Sequence, residues 1–459
     1  MKRLIILMAI GLVCPADIFA QPQPFSVTEI SLGKLLNITD PIARIASPDN
    51  RHFAYIANID GKAAVVIDGK QGPVFDSILK RSLSFSPDSQ QQLVYAGKRN
   101  GKLYLVLNGS ETELSGELAP PFFSSNPLFS PDGKHLAYIL NRAGEALVVR
   151  DGTDGATYDK IVSTAFSPDS QKLVYPASVG TDSFMVLDGV AGKKYSGVSP
   201  PQFSPDSKQL FYSASLGGGT FLVTNETEGK AYEMFGGITV SPDGKHVAHQ
   251  AVNSQKMILV VRDGIEGKGY EGGTSSPIRF SPDSQHIAYV ASHGNNLMFV
   301  VLDATEQKEY PVVIDTRFSP DSTKLAYRTR KNASHIVVVN GVEGPGFKSI
   351  YDESITFSPD SQRLAFRATV GTQEVIVVDG KSGMKFRATG NPLFSKDSKH
   401  LAYAAADNKG WRLVIDEKSG QPYEFILNKD KLKFDDSGVL SFVALRKGEA
   451  FRVEVRPQN

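Results

Sequence analysis

Histidine and aspartate are the side chains here best suited to hold a metal or move a proton, and both recur at fixed spacing. Five of the eight histidines, His52, His135, His246, His286 and His400, lie four residues past the proline of a repeated turn or its replacement. Other copies fill that slot with Gln91, Lys172, Gln209, Lys324 and Arg363. Exchange among His, Gln, Lys and Arg marks an exposed polar position, because no ligand or acid-base role survives it. His249 falls in an aromatic slot and is expected to pack, His293 and His335 stand alone, and no His-Glu-x-x-His pair occurs. The turn aspartates Asp49, Asp88, Asp132, Asp169, Asp206, Asp243, Asp283, Asp321 and Asp360 sit beside the proline and are assigned to turn chemistry. Asp-Gly or Asn-Gly pairs at Asp68, Asn108, Asp151, Asp188, Asp263, Asn340 and Asp379 read as hairpin turns, and no D-x-D-x-D-G loop supports calcium. No catalytic residue, metal site or cofactor follows from these spacings.

The elements that carry these residues come from a repeat. Ser-Pro-Asp occurs nine times, with its proline at 48, 87, 131, 168, 205, 242, 282, 320 and 359, and two degenerate copies follow at Ser395-Lys396-Asp397 and Phe434-Asp435-Asp436. Steps of 37 to 44 residues place eleven copies along the chain. In the copy from Ile355 to Phe386, a short strand runs into the turn and Leu364-Ala365-Phe366 resumes with period two. Val375 to Val378 is a β-branched run closed by Asp379-Gly380, and a last strand carries Phe386. Four short antiparallel strands per copy make one propeller blade, and the chain is expected to be all-β.

Five residues after the turn proline stands a large apolar residue, and two further on an aromatic, as in Leu325 and Tyr327 or Leu401 and Tyr403. These share one sheet face, and the small residue between them faces the other way. The pattern Phe-Ser-Pro-Asp-Ser/Gly-x-x-Leu-Ala-Tyr, with its companion Val-Val-x-Asp-Gly-x-x-Gly-x-x-Tyr at Val148 to Tyr158, resembles the WD-like propeller repeat of TolB-type exported proteins. It is also similar to the non-catalytic propellers of prolyl oligopeptidase relatives. The resemblance runs from about residue 42 to the end and implies a propeller. It does not extend to activity: residues 21–41 are too few for the α/β domain that precedes a TolB propeller, and no Gly-x-Ser-x-Gly elbow occurs.

Single rings usually hold about four to eight blades, so eleven copies are expected to divide into two tandem propellers. These cover residues 21–235 with about five blades and 236–459 with about six. The alternative is one large ring. It gains weight if Phe25 to Ile30 supplies the outer strand that the last copy lacks, because both chain ends then share a blade.

The first twenty residues read as a secretory signal: Lys2-Arg3, an apolar run from Leu4 to Val13, and cleavage after Ala20. The run is too short to span a bilayer, and Cys14 lacks the small preceding residue of a lipoprotein site. Its removal leaves no cysteine and equal numbers of basic and acidic side chains. The expected location is periplasmic or secreted, without a transmembrane anchor. A formal charge of +1 over 459 residues provides no field for nucleic acid.

If the strands run up and down, the Ser-Pro-Asp turns and Asp-Gly hairpins share one end of the ring. The other end carries variable connections, where specificity on a repetitive scaffold usually sits. Candidate binding residues there are Lys98, Arg99, Arg142, His293, Asn295, Arg328 and Arg330, together with Phe122 and Phe123 of an apolar insert. The resulting expectation is a non-enzymatic scaffold for an envelope protein or polysaccharide. The rival is a polysaccharide hydrolase or lyase with its site over the ring axis.

Overall fold

Each repeat folds around its turn. In the copy at Pro359, the Ser358 hydroxyl donates to Asp360 Oδ1 at 2.5 Å, Asp360 Oδ1 accepts the N–H of Gln362 at 3.0 Å, and Ser358 Oγ accepts the N–H of Arg363 at 2.9 Å. These bonds turn the inner strand into the second strand. The second and third strands form a hairpin, and a two-residue turn with both φ values positive links the third to the outer strand. Asp379 at φ 49° and Gly380 at φ 79° are typical of it. Asn225-Glu226, Asp303-Ala304 and Asp416-Glu417 adopt the same turn without glycine. The hairpin Asp or Asn also reaches back: Asp379 Oδ1 accepts the N–H of Leu364 at 2.9 Å, and the same bond recurs from Asp68 to Asp416.

The computed structural model describes residues 25–36, 44–88, 92–119, 127–273, 277–294 and 296–457. They form eleven antiparallel sheets. In chain order the blades cover residues 44–75, 77–114, 117–158, 160–191, 197–228, 234–266, 279–306, 313–343, 349–386, 388–419 and, for blade 11, 425–457. Among the described residues the helical content is one 3-10 turn, Lys80–Ser82. The outer strand of blade 11 is Phe25–Lys34, which pairs antiparallel with Glu449–Pro457. The two chain ends thus complete one sheet.

Blades stack large face on small face. In blade 8, Leu325 and Tyr327 pack toward blade 7, against Ala288 and Val290, while Ala326, beside Phe347 of its own blade, receives Phe366 of blade 9. Both faces are dry, and a fully buried side chain of this size contributes about 1.5–3 kcal/mol. The turns interlock as well: the N–H groups of Asp132, Asp169, Asp243, Asp283, Asp321 and Asp360 each donate to a serine hydroxyl of the next blade at 2.9–3.1 Å.

The same stacking runs past residue 236, and this overturns the expectation of two rings. Met234–Val240 is the inner strand of blade 6, Tyr232 of the preceding repeat packs on Leu259 and Val261, and Lys230 pairs with Glu266 at 2.6 Å. Blade 11 in turn packs on blade 1 through Val443, Leu445, Phe53 and Tyr55. Eleven blades close in one ring. A sheet needs a neighbour on both faces, and once Phe25–Lys34 completes blade 11 no blade is left with a free face at which a first ring could end.

A candidate binding site on the inner wall of blades 7 to 9

The inner strands line the ring axis, and in several blades their wall is neutral. Blades 4 to 6 present Ser163-Thr164, Ser199-Pro200-Pro201 and Gly236-Gly237. Blades 7 to 9 differ. The inner strand of blade 8, Val313–Phe318, loses register between Ile314 and Arg317. This bulge puts Asp315 at φ 60°, the kind of kink that re-aims a side chain. The Asp315 side chain is 6% exposed and lies 3.3 Å from Arg317 Nε. The backbone of Glu353 from blade 9 lies beside this carboxyl and favours its charged form, yet Oδ2 has no hydrogen-bond partner. Burial pushes the Asp315 carboxyl above its ordinary range, and the charges of Arg317 and Arg328 oppose that shift without cancelling it.

Two further guanidinium groups complete this patch. Arg279, on the inner strand of blade 7, is half-buried, and its Nε has no partner. Burial, followed by repulsion from Arg317, lowers its pKa, while Asp315 and Glu353 pull the other way. Arg328 is 7% exposed and crosses the seam to blade 9, donating to the Ile350 carbonyl at 2.5 Å and pairing with Asp352. Its Nε is also unpartnered.

Blade 9 repeats the device. Arg367 Nε donates to Glu374 Oε2 at 2.9 Å, and the guanidinium lies 3.8 Å over the Tyr351 ring. Tyr351 Oη donates to Glu374 Oε1 at 2.6 Å, and the Thr389 N–H of blade 10 donates to Oε2 at 2.6 Å. Arg367 Nη1 is 3.7 Å from Asp430 of blade 11. Arg328 and Arg367 occupy one repeat slot, filled in the other blades by Ile56, Ala96, Ile139, Pro176, Ser213, Gln250, Val290, Ala404 and Val443. That substitution pattern was visible in the repeat alignment and identifies Arg367, which the loop-based reading missed.

The sequence candidates fare unequally. Lys98, Arg99 and Arg142 stand at strand ends, and each is neutralised. Lys98 pairs with Glu117 at 2.8 Å, Arg99 with Glu111 while stacking 4.7 Å over Tyr104, and Arg142 with Asp154 at 2.7 Å. Glu111 holds the Arg99 guanidinium above its usual range. His293 Nε2 lies 3.3 Å from Glu306, and its ring packs 4.6 Å from Phe299. Arg328 and Arg330 belong to strand Leu325–Lys331 rather than to a connection, Arg328 buried and Arg330 exposed. Phe122, Phe123, Asn295 and the signal at residues 1–20 lie outside the described residues. The structure does not gather these candidates: they fall in blades 2, 3, 7 and 8.

The repeated histidines acquire a defined role. His135, His246, His286 and His400 contact the hairpin aspartate of their own blade at 2.6–2.8 Å through Nδ1, and His52 pairs with Asp68 in the same way. In blade 2 the slot is filled by Gln92, whose carbonyl accepts the Ser86 N–H, and Gln91 lies outside the described residues. Among the described residues no three His, Cys, Asp or Glu side chains gather to hold a metal ion, and no helix is long and apolar enough to cross a membrane.

These features define the chain as an eleven-bladed, single-ring β-propeller with a charged inner wall over three blades. No family model matches the chain, and no curated protein does. Solved structures similar to it include a eukaryotic initiation factor, at 13% identity and TM-score 0.41 over 81% of this chain and 99% of that one. The Dos1 propeller matches at 12% and 0.31 over 64% and 92%. Dihydro-heme d1 dehydrogenase NirN, solved with its ligand DHE, matches at 16% and 0.31 over 69% and 77%. At these values blade count and closure stand on the sheets of this chain alone.

Proposed function

We propose that the protein is an exported, TolB-like binding scaffold that receives an envelope protein or polysaccharide at the inner wall of blades 7 to 9. One observation carries this reading. Arg279, Arg328 and Asp315 keep buried polar atoms without partners on two adjacent blades, at positions that most other blades fill with uncharged side chains, although a guanidinium Nε is also unpartnered at Arg44, Arg412 and Arg452. Such atoms are costly unless something satisfies them. A partner presenting carboxylates or hydroxyls would do so. Export is supported by the basic-apolar-small pattern of residues 1–20.

The test is capture from envelope extract by the purified mature protein, compared with the Arg279→Gln/Arg317→Gln variant. A partner retained by the former and lost by the latter supports the reading. Equal retention by both removes the inner wall from it.

A second reading has one observation in its favour. Asp315 is a buried carboxyl with a raised pKa, and it touches the backbone of Glu353. A carboxyl whose pKa burial raises, used together with a second carboxylate, is the composition of a glycoside hydrolase site. Turnover of a polysaccharide that disappears in Asp315→Asn would replace the scaffold reading with this one.

A further inference from the structure

The opposite arc of the inner wall, where the ring closes, has its own electrostatic character. Residues 427–433 of blade 11, 44–46 of blade 1 and 77–85 of blade 2 carry six basic residues, Lys429, Lys431, Lys433, Arg44, Lys80 and Arg81. Within these segments the acidic residue is Asp430. The corresponding segments of blades 4 to 6, residues 160–166, 197–203 and 234–240, carry one charge, Lys160. An excess of one sign confined to one arc of a molecule near neutrality is a local field, and it selects a ligand of opposite sign.

A cavity lies within this arc. It has a volume of about 370 Å³ and sits between blades 11, 1 and 2, at the low end of the range of about 300–1,000 Å³ for small-ligand sites. Its walls divide by chemistry. Lys431 and Lys433 are exposed and lie on one side, and neither has a carboxylate within ion-pair distance among the described residues. Lys429 differs, being 2.9 Å from Asp430. Asn50, Ser84 and Asn428 add uncharged hydrogen-bonding groups, and the half-buried Phe85 supplies an apolar face. The Asn50 amide is held by the Ser441 carbonyl at 2.9 Å, so this wall of the cavity is fixed by the closing seam itself. Arg44 stands opposite Tyr55, on the face turned to blade 11, and its Nε is buried without a partner.

Two ammonium groups with no carboxylate partner among the described residues, several neutral donors and acceptors, and one apolar platform match a sugar acid better than other anions. A pyranose lays its C–H face on an aromatic ring, its hydroxyls take amide and hydroxyl partners, and its carboxylate takes the lysines. A bare inorganic anion would leave Phe85 unused, and a neutral sugar would leave both lysines unused. We propose that the closing seam of the ring binds a hexuronate residue of an acidic polysaccharide, through Lys431 and Lys433, with the ring against Phe85. This deepens the scaffold reading and rests on it, since it names the partner as an acidic glycan, at a second arc of the same inner wall.

Calorimetric titration of the full mature protein with a short oligogalacturonate tests it. The expected result is saturable binding that weakens at least tenfold in Lys431→Gln/Lys433→Gln and in Phe85→Ala, and that is lost when the oligomer is methyl-esterified. Lys193→Gln, in the rim ion pair with Glu228, should leave it unchanged. Binding that persists in Lys431→Gln/Lys433→Gln but falls in Arg317→Gln overturns the seam assignment while leaving the scaffold reading standing. Equal affinity for inorganic phosphate, or for the esterified oligomer, overturns the sugar-acid assignment. No binding by any form overturns the inference, and the scaffold reading is then decided by the capture experiment with Arg279→Gln/Arg317→Gln.

Discussion

On the outer rim of blades 4 to 8, the lysine two residues before the rim tyrosine reaches a glutamate of the next blade. Lys193 pairs with Glu228, Lys230 with Glu266, Lys268 with Glu306 and Lys308 with Glu343, at 2.5–2.8 Å. The lysine partner is the first cause of the lowered pKa of each of these glutamates, which reaches about 2 at Glu343. At the inner wall of blades 7 to 9 the charges recur in two blades at most, and several polar atoms there are unpartnered. The rim is a seam device copied blade after blade, whereas the wall departs from the repeat at particular positions. In a repeat protein each blade meets the same neighbour geometry, so a shared packing problem has a shared solution. A departure therefore needs another cause, and at the wall the geometry points to a ligand.

Removing the closing strand breaks the comparison most severely. A chain starting at residue 36 loses the burial of Phe25 and Leu32 and a full strand ladder, and its unfolding free energy is expected to fall by about 5 kcal/mol or more, read from denaturant midpoints. Next comes the wall pair. Glu374→Leu alone leaves Arg367 without its main carboxylate and is expected to cost about 3 kcal/mol, whereas Arg367→Leu/Glu374→Leu together should lie within about 1 kcal/mol of the parent. A double variant as unstable as the single one would make the pair a packing element and weaken the functional reading of the wall.

The pH dependence centres on His249. It sits in the aromatic slot, stacked 4.1 Å from Phe235, and burial holds its imidazole down at about 4. The unfolded chain takes up this proton near pH 6.5 and the folded chain does not. The stability is therefore complete above pH 6.5 and is lost as pH falls toward 4, by about 3 kcal/mol. His249→Phe, which installs the residue of blade 9, should flatten that part of the stability–pH curve, and an unchanged curve would assign the acid sensitivity elsewhere. Ser361→Ala removes the acceptor for the Asp321 N–H across a seam and should cost about 1 kcal/mol in a thermal melt. The smallest effect is a gain: Ala304 occupies the hairpin turn at φ 69°, and Ala304→Gly should stabilise by about 0.5 kcal/mol.

Much of the fold was legible locally, and the candidate site was not. The turn at Ser358-Pro359-Asp360, the hairpin at Asp379-Gly380 and the large-small-large face of Leu325-Ala326-Tyr327 are each encoded within a few residues. They form as expected because their hydrogen bonds and faces are short-range. By sequence Arg328 reads as a loop cation, yet it is buried in mid-strand, because the hairpin that follows it turns only at Asn332, φ 55°. Arg367 escaped notice although it shares that slot, since single-residue departures stand out only once the blades are aligned position by position. Asp315 could not be foreseen. Its burial depends on a bulge in blade 8 and a backbone N–H from blade 9, contacts between segments more than thirty residues apart.

By itself the sequence determined the blade: its four strands, its turns, its dry faces and the number of copies. Only the tertiary structure decided that the copies close in one ring and which charges meet at the axis. A blade is specified by contacts within some forty residues. Closure depends on Phe25–Lys34 finding Glu449–Pro457 at the far end of the chain, and on the small rotation from each sheet to the next, which no single repeat contains.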